Sequence, residues 1–168
     1  MHLRNCFSCY IEIFLTVVFR YFDISGLTAN TKYYYRTSTD AGFISALDFF
    51  YTAKTDASTK MAFLHYGDCG YNNTVQNDIA ALMIGDSTEF GIVTGDIDQG
   101  VGDNYDGVFF GPYANLVKNA CQYTCIGNHD TYADNAATYL DDFYLPTNNP
   151  LQSERYYSFS WGNGKFIC

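Results

Sequence analysis

Short apolar runs alternate with helical patterns from residue 61 onward. The runs at 61–66, 89–94 and 121–126 each have the length of a buried strand. Apolar residues with helical spacing follow the run at 61–66, and a second helical pattern follows the run at 89–94. Strands that alternate with helices are typical of a layered α/β domain. The pattern therefore predicts an α/β fold for residues 61–168.

Two helices are predicted between these strands. The first is capped by Asn73-Thr74 and ends near Gly85. Its predicted apolar face consists of Val75, Ile79, Leu82 and Met83. The second spans about 105–119, and Gly111-Pro112 should interrupt or restart it, because proline lacks a backbone donor. Near the end of the sequence, residues 155–161 and 165–168 flank Gly-Asn-Gly and predict a β-hairpin.

Residues 1–55 have a different pattern, rich in Thr, Val, Tyr and Phe and without helical periodicity. The apolar run at 13–19 is too short to span a bilayer and too weakly followed by a cleavage signal to predict a secretory leader, so we interpret it as a strand. Around Tyr33, a leucine, a turn and a tyrosine-rich strand are similar to the tyrosine corner of an immunoglobulin-like sandwich. Such a sandwich needs about 100 residues, so only part of one is predicted. The polar residues 55–60 are the predicted linker.

Composition excludes several classes of protein. Hydrophobic residues make up 48% of the chain and aromatic residues 18%, which favours a packed core. Eighteen acidic residues against nine basic ones, without a Lys/Arg cluster, argue against a nucleic-acid partner. Six cysteines are too widely spread for a disulfide-stapled miniprotein. Cys121 and Cys125 would alternate with polar positions on one strand, and we predict that they fill the core.

The candidate chemistry lies in three short loops, each directly after an apolar run. They read Gly-Asp-Cys-Gly at 67–70, Gly-Asp-Ile-Asp at 95–98 and Gly-Asn-His-Asp at 127–130. Ligands at the carboxyl ends of strands in an α/β sheet converge on one crevice. Carboxylate and amide oxygens suit hard cations, and two adjacent cations can polarise a phosphate and activate a water molecule. The middle loop supplies Asp96 as the natural bridge, and His129 is a candidate proton donor.

The three loops closely resemble those of the calcineurin-like metallophosphoesterases and, among them, the purple acid phosphatases. The resemblance covers residues 61–168, which would be the N-terminal half of a metallophosphoesterase α/β sandwich. It extends to residues 1–55, which would be part of a fibronectin type III-like sandwich. The predicted hairpin after the third loop also resembles the hairpin that follows the third motif in this family. The implied function is hydrolysis of small phosphate monoesters, and the implied location is secreted or lysosome- or vacuole-like.

The resemblance also implies metal ligands and roles. Asp68 would hold the first metal ion, Asp96 would bridge both ions and Asn128 would hold the second. His129 would assist phosphoryl transfer. In the purple acid phosphatases the first ion is iron, and the second is zinc, manganese or iron. The family has a metal-binding tyrosine three residues after the bridging aspartate, where this chain has Gln99. This departure leaves a zinc, manganese or magnesium pair open.

The second departure concerns histidines. The family's remaining ligands are histidines in two later blocks, and besides His129 this chain has only His2 and His65. We expect His65 to be a structural residue of its strand. We therefore expect little or no hydrolysis from these 168 residues alone. Two alternatives to a phosphomonoesterase stay open, a calcineurin-like phosphodiesterase and a non-catalytic protein that binds metal or phosphate.

Overall fold

The computed structural model of the protein describes residues 11–12, 24–38, 42–55, 60–84 and 88–168. In these residues the fold is mixed α/β with four small sheets, which confirms the predicted α/β class. The predicted strand at 13–19 and most of the predicted linker, 56–59, lie outside the described residues. No helix in the described residues is both long enough and apolar enough to cross a membrane.

A parallel sheet of three strands lies at the centre of the α/β part. Its strands, in spatial order, are β5 (Phe63–Tyr66), β6 (Phe90–Val93) and β7 (Cys121–Thr124). All three were predicted from their apolar runs and are confirmed. Tyr66, Val93 and Thr124 are register partners, so the three strands end level with one another. The loops that follow them therefore start at the same edge of the sheet.

Helix α1 (Thr74–Met83) begins where the capping residues predict, because the Asn73 side chain accepts a hydrogen bond from Gln76 N at 2.9 Å. The predicted apolar face is wrong for three of its four residues. Exposed positions are Val75, Ile79 and Leu82. The buried side of the helix carries Gln76 and Ala80, and the Gln76 amide donates to Val108 O at 2.5 Å. This polar contact orients the helix, so most of its apolar stripe faces outward.

This orientation predicts unequal effects of lysine on the two sides of α1. Leu82 is 86% exposed and Ala80 is 3% exposed. Leu82→Lys should change the free energy of unfolding by less than about 0.5 kcal/mol, since the new lysine is solvated and lies four residues after Asp78. Ala80→Lys should lower it by about 2 kcal/mol or more, because it forces a charge into the interior. Urea unfolding of both variants tests this, and equal losses would contradict the orientation.

The second predicted helix is interrupted, as Gly111-Pro112 suggests. A π-helical turn at Asp106–Phe110 is followed by a short helix, α2 (Ala114–Val117). A third helix, α3 (Ala137–Asp142), was not predicted from the sequence. The residue before it, Ala136, has a left-handed backbone with φ 64°. Asp134 caps the start instead, because its carboxylate accepts from Ala137 N and Thr138 N at 2.8 Å each, and this aspartate is a signal that the sequence pattern offered.

The predicted hairpin is confirmed as β8 (Ser158–Trp161) and β9 (Gly164–Ile167), which pair antiparallel. It packs on one face of the central sheet through aromatic rings. Phe159 stacks on Tyr123 with 3.5 Å between ring centroids, and Trp161 lies 4.7 Å from Phe90. Phe90 and Trp161 are fully buried. The hairpin therefore closes the core over the middle and third strands.

The described residues before position 56 form short strands, as predicted. They are β1 (Ile11–Glu12), β2 (Lys32–Tyr35), β3 (Thr37–Ser38) and β4 (Asp48–Tyr51). The first pairs with the third in parallel, and the second pairs with the fourth antiparallel. Thr28 N donates to the Tyr33 hydroxyl at 3.0 Å, the type of backbone contact that a tyrosine corner makes.

These strands contact the α/β part directly. The Tyr35 hydroxyl donates to Lys118 O at 2.7 Å, and Phe49 N donates to the Asn119 side chain at 3.0 Å. Burial, and then the nearby Asp48 carboxylate, raise the pKa of Tyr35, so its hydroxyl stays protonated as a donor. Lys54 also forms an ion pair with Glu89 at 2.5 Å.

Candidate functional site

The first two predicted loops are joined at the edge of the parallel sheet. Asp68 N donates to Gly95 O at 3.1 Å, and Cys69 N donates to Asp96 O at 3.3 Å. These bonds continue the pairing of β5 with β6 beyond the ends of the strands. They hold the two candidate aspartates on neighbouring loops.

The third loop lies against the second one. His129 N donates to Asp96 Oδ1 at 3.0 Å. Gly127 lies so close to Asp96 that an added Cβ would be 2.1 Å from its Oδ1 and 2.2 Å from its N. Asp96 follows the central strand and contacts the loops on both sides. Asp96 therefore lies between the first and third loops.

Both candidate aspartates have a left-handed backbone. The φ angle is 50° at Asp68 and 48° at Asp96, and the preceding Gly95 has a φ of 90°. Aspartate tolerates this region better than most residues, yet it remains sparsely populated. Strained backbone of this kind clusters at functional sites, where the surrounding structure maintains it. The same region is also occupied at Asn30, Asn72, Asn135, Ala136 and Gln152, so the two angles describe the sharp turns at this sheet edge and support a site only together with the contacts between the loops.

Gln99 lies between the two aspartates. Its side-chain amide nitrogen is 3.2 Å from Asp68 Oδ1 and 3.3 Å from Asp96 O. Its backbone N also donates to Gly70 O at 3.1 Å. As a neutral amide donor, Gln99 orients the Asp68 carboxylate but offers no phenolate to a metal ion.

Asn128 and His129 have different environments in the third loop. The Asn128 amide nitrogen donates to the Tyr132 hydroxyl at 2.6 Å, so the amide oxygen is the atom that can bind a cation. His129 Nδ1 lies 3.1 Å from Gly100 O. Because a carbonyl oxygen only accepts, Nδ1 carries the proton, and Nε2 is the nitrogen available to a substrate. The Tyr132 ring lies 4.7 Å from the imidazole and supports it.

Asp98 is a functional candidate that the sequence reasoning missed. It is buried, and its carboxylate accepts from the N–H groups of Gly100 at 2.7 Å, Gly102 at 3.2 Å and Asp103 at 3.2 Å. These bonds shape the loop that presents Gly100 O to His129. An aspartate two residues before a glycine is a turn signal that could have revealed this role.

Asp130 is the second residue that was missed, although it belongs to the third loop. It is fully buried, and its carboxylate accepts from the backbone of Ile97, Asp98 and Gly127 at 3.1, 3.3 and 2.8 Å. The Tyr105 hydroxyl donates to it at 3.1 Å. Burial, and then the Asp130 charge, raise the pKa of Tyr105, which keeps that hydroxyl a donor. Asp130 thus fastens the second and third loops together.

Cys69 lies in the first loop beside Asp68 but is buried. Burial raises the pKa of its thiol to about 12, against the lowering effect of a hydrogen bond with Tyr113. Cys69 therefore belongs to the hydrophobic core under the first loop. His65, which was expected to be structural, lies exposed within β5.

The candidate ligands are therefore two carboxylates and one amide. In the part of the chain that the structure describes, no three side chains of His, Cys, Asp or Glu form a metal-binding group. No protein-family model matches the chain, and no curated protein matches it. The oxygen donors at the sheet edge fit a hard or borderline cation, and two cations would need further ligands. These donors are the basis on which a function can be proposed.

Proposed function

We propose that this sheet edge is the aspartate and asparagine half of a two-metal phosphoesterase site that hydrolyses phosphate monoesters. The observation that carries the proposal is the joining of three loops around Asp96 at the carboxyl ends of three level, parallel strands. This is the position at which open α/β sheets bind ligands. The left-handed backbone at Asp68 and Asp96 adds support.

The proposal includes a family and a domain arrangement. Residues 61–168 would be the N-terminal part of a calcineurin-like metallophosphoesterase domain of the purple acid phosphatase type. Residues 1–55 would be part of a fibronectin type III-like sandwich. The bond from Thr28 N to the Tyr33 hydroxyl supports the second assignment, because that contact characterises a tyrosine corner.

Three residues would hold the metal ions. Asp68 would bind the first metal ion, and Asn128 would bind the second. Asp96 would bind both ions, and each of the three residues would use a side-chain oxygen. Bound ions of this kind polarise the phosphate and lower the pKa of a water molecule toward neutrality. Gln99 supplies no phenolate, and this favours zinc, manganese or magnesium over the iron–tyrosinate pair of purple acid phosphatases.

The chain's own residues would position the substrate and move a proton. His129 is held by Gly100 O through Nδ1, so Nε2 can hydrogen-bond a phosphoryl oxygen or protonate the leaving group. Asp98 maintains the loop that carries Gly100. Asp130 keeps the third loop against the second, which holds His129 near Asp96.

A second candidate function is metal or phosphate binding without hydrolysis. The position of His65 favours it, because this histidine lies within β5 and not on the loops that carry the candidate ligands. Among the described residues, that leaves His129 as the histidine at the sheet edge.

Metal titration tests the proposed site. Mn²⁺ at one hundred times its Kd should stabilise the protein by about 2.7 kcal/mol, which raises the unfolding midpoint by roughly 5–10 °C. Asp96→Asn keeps an acceptor for His129 N but removes the charge, and it should weaken Mn²⁺ binding at least about tenfold. Calorimetric titration measures the affinity directly.

The matched control is Asp78→Asn, which removes an equal charge from an exposed position on α1. It should bind Mn²⁺ as the parent protein does. Equal binding by Asp96→Asn and the parent would contradict the site. Turnover of an aryl phosphate with Mn²⁺ or Zn²⁺, abolished by Asp96→Asn, would favour the hydrolase. Metal binding without turnover is the result expected from these 168 residues alone, so it supports the site without separating the two candidate functions.

A further inference from the structure

Two cysteines meet beside the third loop, away from the proposed ligands. The thiols of Cys125 and Cys168 are neighbours that shift the pKa of one another, and both side chains are half-buried. Cys125 directly follows β7, and Cys168 directly follows β9. The sequence pattern predicts Cys125 as a core-filling strand residue. In the structure it is a member of a thiol pair instead.

Backbone bonds on both sides hold this pair in place. Cys168 and Tyr157 exchange two backbone hydrogen bonds of 2.9 Å each, which extends the β8–β9 pairing. The Tyr157 hydroxyl donates to Thr124 O at 2.7 Å, next to Cys125. Cys125 N in turn donates to Val93 O at 2.8 Å. The hairpin and the parallel sheet are therefore fastened together at the point where the two thiols meet.

We propose that Cys125 and Cys168 form a reversible disulfide when the protein meets a small-molecule disulfide such as oxidised glutathione. Neighbouring thiols need only a side-chain movement to approach the bond length of about 2.05 Å. The pair is half-buried, so a small oxidant can reach it, whereas Cys69 is buried. This inference does not depend on the proposed phosphoesterase function.

The disulfide forms by thiol–disulfide exchange in two steps. Cys168, as thiolate, attacks one sulfur of the oxidant and releases the first small thiolate, leaving a mixed disulfide on Cys168. The Cys125 sulfur then attacks Cys168 Sγ and releases the second small thiolate. The two protons of the protein thiols pass to the two released thiolates, which become small thiols. Two electrons move from the protein to the oxidant, which is reduced to two thiols.

Cys168 is suited to the first attack. The neighbouring Cys125 thiol lowers the pKa of Cys168, although burial acts in the opposite direction. The same thiol–thiol interaction, followed by burial, raises the pKa of Cys125. The thiolate is the nucleophile in disulfide exchange, and a lowered pKa makes the thiolate more abundant. Cys168 should therefore react first, and Cys125 should resolve the mixed disulfide.

The position of the disulfide gives it a structural effect. Cys125 lies two residues before Gly127, which begins the third loop. A bond to Cys168 would tie the end of β7 to the hairpin, and it would restrict the unfolded chain. The oxidised protein should unfold at a midpoint roughly 10 °C higher than the reduced protein.

Peptide mapping tests the pairing in the full chain. The protein is treated with oxidised glutathione, remaining thiols are alkylated, and digested peptides are identified by mass spectrometry. The expected result is a peptide that joins Cys125 to Cys168 and disappears after reduction. Alkylation of both residues, under conditions that oxidise dithiothreitol, would overturn the proposal. So would a main product that joins either residue to a different cysteine.

Serine variants provide the matched comparison. Cys125→Ser and Cys168→Ser should each abolish the increase in unfolding midpoint on oxidation. Cys121→Ser changes a half-buried cysteine at the start of β7, the strand that Cys125 follows, and should keep that increase. An increase that survives in Cys168→Ser would overturn the proposed pair. Mapping of the unsubstituted protein decides the question even where a variant fails to fold.

Discussion

Asp130→Ala is expected to lower the free energy of unfolding by about 4 kcal/mol. The fully buried carboxylate accepts from three backbone N–H groups and from the Tyr105 hydroxyl. Bonds to a charged group contribute about 1.5–3 kcal/mol, and donors left buried without an acceptor add a desolvation cost. Alanine removes every one of these acceptors at once. Guanidinium chloride unfolding measures the loss, and the thermal midpoint should fall by roughly 10 °C.

Two comparisons make the Asp130 prediction specific. Asp141→Ala removes an exposed aspartate on α3 and should change stability by less than about 0.5 kcal/mol. Asp130→Asn keeps one acceptor oxygen but turns an amide donor toward backbone donors, and it should remain strongly destabilising. If Asp130→Ala unfolds at the same denaturant concentration as Asp141→Ala, the loops are held together by other contacts.

Gly127→Ala is expected to disrupt the candidate site itself. The new Cβ would lie 2.1 Å from Asp96 Oδ1 and 2.2 Å from Asp96 N, well below normal contact distance. One of these atoms is backbone, and the other accepts from His129 N. The loops must therefore separate. We expect a loss of about 3 kcal/mol in stability and at least about a tenfold loss in Mn²⁺ affinity, measured by unfolding and calorimetric titration.

The control for Gly127 is another glycine with a different neighbour. An added Cβ at Gly107 would be 2.7 Å from the end of the Asn104 side chain, which can rotate away. Gly107→Ala should therefore stay within about 1 kcal/mol of the parent protein and bind Mn²⁺ normally. Parent-like stability and Mn²⁺ affinity in Gly127→Ala would show that the loops are not packed as described.

Local sequence patterns predicted much of the fold. The three apolar runs became the parallel strands, Asn73 capped α1, and Gly-Asn-Gly turned the hairpin. These features depend on neighbouring residues, since strand length, capping and turn geometry are local properties. The same local patterns predicted the wrong buried side for α1. Periodicity shows that a helix has an apolar stripe, but the contact between Gln76 and Val108 decides which side faces inward.

Some features of the candidate site were also predictable from the sequence, and others were visible only in the structure. The sequence by itself determined the order of the loops and the oxygen-bearing side chains at Asp68, Asp96 and Asn128, because glycine turns after apolar strands are readable locally. Only the tertiary structure showed that Asp130 fastens two loops and that Cys125 meets Cys168. These contacts join residues far apart in the chain. They form only when separate strands are packed side by side, so no local pattern specifies them.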